Sequence, residues 1–225
     1  MGQVNDYSDD RLTSSCLYCG GDIATREHAP SKVLLDAPLP ANLPIIRACQ
    51  PCNESFSRDE EYVACLVECA ISGSTDPDRV SRKNIARKLG DQPALRARLE
   101  RSRVEEDGRT TFAPEVGRVE NVVRKLAQCH VLYELSEVMR DPPSLIGFTP
   151  RPFLTVAQKA AFEKIEQPPI WPEIGCRMMS RLVEGDPGWQ VVQPKRYRYA
   201  TIYGGPTIAR MVLSEYLACE VVWDD

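Results

Sequence analysis

Four of the nine cysteines, Cys16, Cys19, Cys49 and Cys52, fall in two Cys-x2-Cys pairs separated by 29 residues. Each pair offers two thiolates at a tight turn, the first followed by Gly20-Gly21, and together they build a tetrahedral, closed zinc site of the structural kind. Nine is an odd number for a disulfide framework, whereas the paired spacing suits metal binding in a reducing cytosol. His28, one of two histidines, stands between the pairs in "TREHAPSK", directly after Glu27 and two residues before Pro30. Four thiolates complete a zinc ion's shell, which leaves His28 free for other chemistry; the alternative is that it replaces one cysteine as a ligand.

The elements that must position these residues read as follows. Residues 1–15, with "NDYSDD", form a polar, acidic leader, and residues 16–75 form the metal-bearing module. In that module a knuckle at "CLYCGG" leads to an extended piece at "TREHAP", a Pro-rich turn at "DAPLPANLP", a short apolar run at "IIRAC" and a helix. The helix is expected to begin near Asn53, to carry Val63, Leu66, Val67, Ala70 and Ile71 on one apolar face, and to end at Gly73. Residues 76–141 form a basic, helical segment. Between Arg79 and Arg103 nine basic residues face only Asp91 and Glu100, in a chain of net charge −4. A second helix is expected from about Arg118 to Arg140, with Val119, Val122, Val123, Leu126, His130 and Tyr133 on one stripe, and "DPPSLIGFTPRP" breaks it. Residues 142–225 combine a helical stretch at "TVAQKAAFEKI" with β-type runs at "WQVVQ", "RYRYATIY", "IARMVL" and "LACEVVW", which predicts a small antiparallel sheet backed by helices. The fold class is α+β. The 225 residues suit two small domains better than one elaborated domain.

The ordered set "CLYCGG", "EHAP", "ANLPIIRAC" and "CQPCN" resembles the HNH endonuclease family, whose ββα-metal motif often sits on a zinc platform. The similarity covers Cys16 to about Phe56. Bacterial proteins of that family have a layout like "REHAPSKVLL" followed by "CNESFSRDEEY". The resemblance implies that His28 ends the first hairpin strand and acts as general base, since a neutral imidazole can take a proton from water at physiological pH. It implies Asn42 as the residue that ties the hairpin loop and aims His28. It implies Glu27 and Asn53 as ligands of a second, catalytic cation, Mg²⁺ or another divalent ion, which would stabilise the phosphate and the departing oxygen. Glu27 stands where the family more often has Asp, and Phe56 where it commonly has Lys.

Other readings of these residues stay open on sequence alone. Asn53 also suits the N-cap of the helix after it, and Asn42 a turn. Cys65, Cys69 and His130 read as buried core groups. Within a nuclease the basic segment, Arg82, Lys83, Arg87 and Lys88 foremost, would contact phosphates. "PKRYRY" reads equally as a base-stacking platform or a half-exposed strand. The expectation is therefore a metal-dependent endonuclease with structural zinc, acting on nucleic acid with DNA favoured. The alternative is a zinc-ribbon module that binds nucleic acid or protein without cutting. No basic start with an apolar run and no span-length apolar stretch is present, so a cytoplasmic protein without membrane contact is expected.

Overall fold

A computed structural model of the chain describes residues 14–41, 43–106 and 109–224. It is an α+β fold. Strand β1 (Thr25–His28) pairs antiparallel with β2 (Ile45–Ala48), His28 opposite Ile45 and Thr25 opposite Ala48, and Cys49 carries the chain from β2 into α1 (Gln50–Ser72). The helix starts three residues earlier than Asn53. Cys49 is its N-cap: the Cys49 thiol accepts the Cys52 N–H at 3.4 Å, and Pro51 lies in the first turn, where no N–H is needed. Asn53 is thus inside the helix. Gly73 ends it in the left-handed conformation, with φ 64°. Burial runs almost all round α1 from Tyr62 to Cys69, while Ile71 is exposed.

The basic segment forms α2 (Lys83–Asp91) and α3 (Pro93–Arg101), followed by a hairpin of β3 (Arg103–Glu106) and β4 (Arg109–Phe112) that the sequence pattern did not announce. Helix α4 (Val116–Leu135) stops five residues short of Arg140 because Ser136 turns left-handed, at φ 60°, and returns its N–H to Leu132. The supposed break after it contains β5 (Leu145–Pro150), an edge strand. With α5 (Val156–Glu163), α6 (Arg177–Glu184), β6 (Gln190–Gln193), β7 (Tyr197–Ile202), β8 (Thr207–Leu213) and β9 (Leu217–Trp223) it completes the C-terminal region. The five strands form one antiparallel sheet in the order β5-β9-β8-β7-β6. "PKRYRY" is a turn, Pro194 to Arg196, leading into β7, and because Tyr197 and Tyr199 are buried it offers no base-stacking platform.

The main hydrophobic core runs through all three segments, with smaller clusters around the hairpin and the cysteines. It joins Val63 and Val67 of α1, Ile85 and Leu89 of α2, Val122 and Leu126 of α4, and Tyr199, Met211 and Val221 of the sheet. Helix α4 lies between α1 and the sheet, and the three segments distinguished in the sequence pack around it. His130 on α4 is a core histidine: its Nε2 lies 2.8 Å from the Tyr197 hydroxyl, its ring stacks on Tyr199 at 3.7 Å, and burial pushes its pKa down to about 3. Cys65 and Cys69 are likewise buried. Among the described residues no helix is long and apolar enough to cross a membrane.

The connection between β1 and β2 is strapped to the rest of the fold by charge. Arg82, 3% exposed, donates to Asp36 at 2.7 Å and to the Leu35 and Val33 carbonyls at 2.8 and 3.1 Å, and lies 3.6 Å from Glu68. Arg196 holds Asp36 at 2.5 Å and Glu68 at 3.3 Å, while Gln193 bonds both the N–H and the carbonyl of Asp36. Arg82 is therefore a buried strap and not a phosphate contact, and Lys88 is paired with Glu61; Lys83 and Arg87 are the members of the expected set that face solvent. Removing one partner of a buried pair leaves an uncompensated charge. Arg82→Ala should cost about 3–5 kcal/mol in chemical denaturation, and Lys83→Ala or Arg87→Ala less than about 0.5 kcal/mol. Equal effects from all three would remove the strap.

Candidate functional site

The two cysteine knuckles come together as their spacing requires. Gly20, at φ 75°, lets the first knuckle turn so that Cys16 N–H reaches the Gly21 carbonyl at 2.8 Å and Gly20 N–H the Cys16 carbonyl at 2.9 Å. Gly21 N–H points at Cys19 Sγ and Cys52 N–H at Cys49 Sγ, both at 3.4 Å. Arg140, beyond the end of α4, caps the knuckle from outside through the Leu17 and Cys16 carbonyls, at 3.2 and 3.0 Å. The four sulfurs of Cys16, Cys19, Cys49 and Cys52 lie within 4.8 Å of one another, with Cys19 and Cys49 at 3.6 Å. Zinc–sulfur bonds of about 2.3 Å in a tetrahedron put sulfurs about 3.8 Å apart, so the cluster fits a metal ion such as zinc. Its electrostatics ask for one. Burial opposes a Cys16 thiolate, yet backbone N–H groups at Cys49, Cys19 and Tyr18 bring its pKa down to about 7, while burial and the neighbouring thiols push Cys52 up. Four thiolates this close repel unless a cation sits among them. No other group of three or more such side chains is arranged for a metal among the described residues.

Beside this centre a cleft of about 280 Å³ is lined by Glu27, His28, Asn53, Glu60, Arg26 and Lys32, among others. His28 ends β1 and is half-buried. Burial, then the positive charges of Lys32 and Lys125, lower its pKa below the usual 6.5, so the imidazole is neutral at physiological pH and able to accept a proton. Asn53, one turn into α1, reaches back to the hairpin and donates to Thr25 Oγ1 at 3.1 Å, its amide oxygen taking no side-chain partner among the described residues. Arg26 and Lys32 are exposed at the rim. Asn42 lies outside the described residues.

Glu27 has a partner that no local pattern announces. Its carboxylate is bonded to Lys125 of α4, which also bonds Glu60 of α1 and donates to Ser31 Oγ at 2.8 Å; Ser31 in turn bonds Glu60. On the other side Tyr18 Oη reaches Glu27 Oε2 at 3.4 Å and Cys129 Sγ at 3.1 Å. Glu27 and Glu60 are buried and Lys125 is wholly so. Burial pushes Glu27 up, against the pull of Lys125. Both Glu27 oxygens are engaged, and a cation placed on them would meet the ammonium. The expected Glu27–Asn53 pair therefore does not fit a divalent ion in this arrangement, although both residues reach the cleft. The one sequence sign of Lys125 and Glu60 is a charge set on an apolar face: Lys125 falls three after Val122 and four before Cys129, and Glu60 four after Phe56 and three before Val63.

No protein-family model matches the chain, and no curated protein and no solved structure matches it. What the site can do is carried by its own geometry. The four-thiolate centre ties the first knuckle to the start of α1, and metal binding of this kind is worth on the order of 10–16 kcal/mol in small modules. Cys49→Ser should therefore lose the bound zinc measured by elemental analysis and unfold the region around β1 and β2, read by hydrogen exchange there. Retention of a full metal equivalent in this variant would sink the four-cysteine assignment.

Proposed function

We propose that this chain is an HNH-type endonuclease that hydrolyses phosphodiester bonds in nucleic acid, DNA in preference to RNA, with zinc on the four cysteines as structural staple. The observation that carries the reading is topological: a hairpin leads directly into a helix, both ends are stapled by the cysteine cluster, and the histidine at the end of the first strand opens into a polar cleft. That ββα order is what the resemblance of "EHAP" and "CQPCN" calls for.

The chain's own groups have clear roles in such a reaction. Neutral His28 takes a proton from the attacking water, and its depressed pKa keeps it in the basic form. Arg26 and Lys32 at the rim meet the phosphate charge, and Lys83 and Arg87, exposed on α2, are free to add contacts elsewhere along a nucleic acid. A divalent cation such as Mg²⁺ supplies charge stabilisation at phosphate in this class of chemistry. Glu27 is held by Lys125 and is not free to hold that cation.

The second reading, a zinc module that binds without cutting, is favoured by the same Glu27–Lys125 pair, which occupies the acid that metal-dependent cleavage would use. One assay separates them: plasmid, linear duplex, single strand and RNA incubated with the zinc-loaded protein, with and without Mg²⁺ or Mn²⁺. Cleavage supports the nuclease. Binding with no cleavage under any of these conditions supports the module.

His28→Ala should lower cleavage by about 10²–10⁴ while keeping zinc and substrate affinity. Since the base acts when neutral and its pKa lies below 6.5, the acid limb of the pH–rate profile should fall below pH 6.5. A variant as fast as the parent removes His28 from the chemistry. Arg26→Glu combined with Lys32→Glu should weaken duplex binding and reduce the slope of log K against log salt by roughly two; an unchanged slope takes both residues out of the interface.

A further inference from the structure

The charges beneath the His28 cleft do not balance as a simple ion pair. Two buried carboxylates, Glu27 and Glu60, converge on one ammonium, Lys125, and all three belong to different elements, β1, α1 and α4. The ammonium has three N–H donors, and three oxygens meet them: one from each carboxylate and the Ser31 hydroxyl. Phe56, on the same side of α1, sets its ring 5.7 Å from the nitrogen. Tyr18, backed by the Cys129 thiol, supplies a hydroxyl to the second oxygen of Glu27. Burial pushes Cys129 up to about 12, so it remains a neutral thiol and adds no charge. Lys125 is 0% exposed, which keeps it from touching any substrate.

A tripod of two carboxylate oxygens and one hydroxyl around a single positive centre is what a hard cation takes from a protein. Here a covalently tethered ammonium already fills it. We propose that Lys125 is the resident cation of this cleft, standing between Glu27 and Glu60 where a divalent ion would otherwise be bound. It is a positioning residue: it acts through Glu27, the residue before His28 on β1, and so fixes the strand end that carries the imidazole to α4 and the shared core. Any divalent ion that enters the cleft must be held by other donors, such as the Asn53 amide oxygen and phosphate.

This inference concerns the cleft alone and does not rest on its hydrolytic role, and its test does not read cleavage. Mn²⁺ is titrated into the zinc-loaded full chain at neutral pH and followed by electron paramagnetic resonance. The parent and Glu27→Gln should show the same Mn²⁺ affinity within a factor of two, or no binding in both. Lys125→Met, with zinc retained, should gain a Mn²⁺ site at least tenfold tighter than the parent's, and Lys125→Met combined with Glu27→Gln should lose it again. A tenfold or greater drop in the parent's Mn²⁺ affinity on Glu27→Gln would overturn the proposal, because Glu27 would then be a metal ligand with Lys125 displaced. A folded Lys125→Met protein that gains no site overturns it as well. Should Lys125→Met not fold, the comparison of parent with Glu27→Gln decides alone.

Discussion

A charge with no access to water has to be matched where it stands, and Lys125 is such a charge. The desolvation cost of a buried ammonium is several kcal/mol, and it is offset only by close, well-directed acceptors. Those acceptors are Glu27 at the end of the hairpin, Glu60 on α1 and Ser31 on the connection after β1. Each is useful only if its element sits against α4 in one register. The pairing therefore does more than contribute energy: hairpin, α1 and α4 cannot slide past one another without stranding a charge. The apolar packing of Val63, Val122 and Leu126 around it would tolerate such a slide far better.

The same logic operates on the other side of the hairpin connection. Asp36 is held by Arg82 from the start of α2 and by Arg196 and Gln193 from the C-terminal sheet, and Glu68 of α1 lies beneath both arginines. The long connection between β1 and β2 would otherwise be a loop tethered only at its ends. Tied at Asp36 to the end of β6, to the turn before β7 and to the start of α2, it becomes part of the body of the protein. The sheet thus acquires a role in shaping the cleft although none of its residues lines it.

The metal centre and the cleft divide the chemistry between soft and hard ligands. Four sulfurs are placed so that they could hold one metal ion such as zinc, and an ion bound by all four would have no free position. The cleft beside it offers an imidazole, an amide and carboxylate oxygens: Glu27 and Glu60 share the one Lys125 ammonium, Glu61 is paired with Lys88, and exposed cations stand at the rim. A polyanion approaching the rim meets Arg26 and Lys32 first and finds a neutral His28 behind them. In a net-acidic chain, these two exposed cations make the rim locally basic.

Much of this was legible in the residues themselves. The cysteine pairs announce their cluster because a thiolate knuckle is a local object, closed within four residues by its own backbone. The C-terminal runs announce their strands because period-two burial is written into adjacent side chains, and Gly73 announces a helix end because only a left-handed residue can make one cheaply. The α1 start was misplaced because a cysteine served as cap in place of the asparagine that usually does. The β3–β4 hairpin and the edge strand β5 went unseen because their short, polar or Pro-flanked segments gain stability from their strand partners and from packing and carry little of it in their own pattern. Arg82 looked like surface charge in a basic run, and only its partners 46 and 47 residues away in sequence, Asp36 and Leu35, make it a strap. Glu27 was the sharpest case. Sequence determined that an acid precedes His28 between two paired-cysteine knuckles; the tertiary structure alone decided that its charge faces an ammonium 98 residues downstream, because electrostatic pairing depends on distance in space, and no spacing along the chain encodes it.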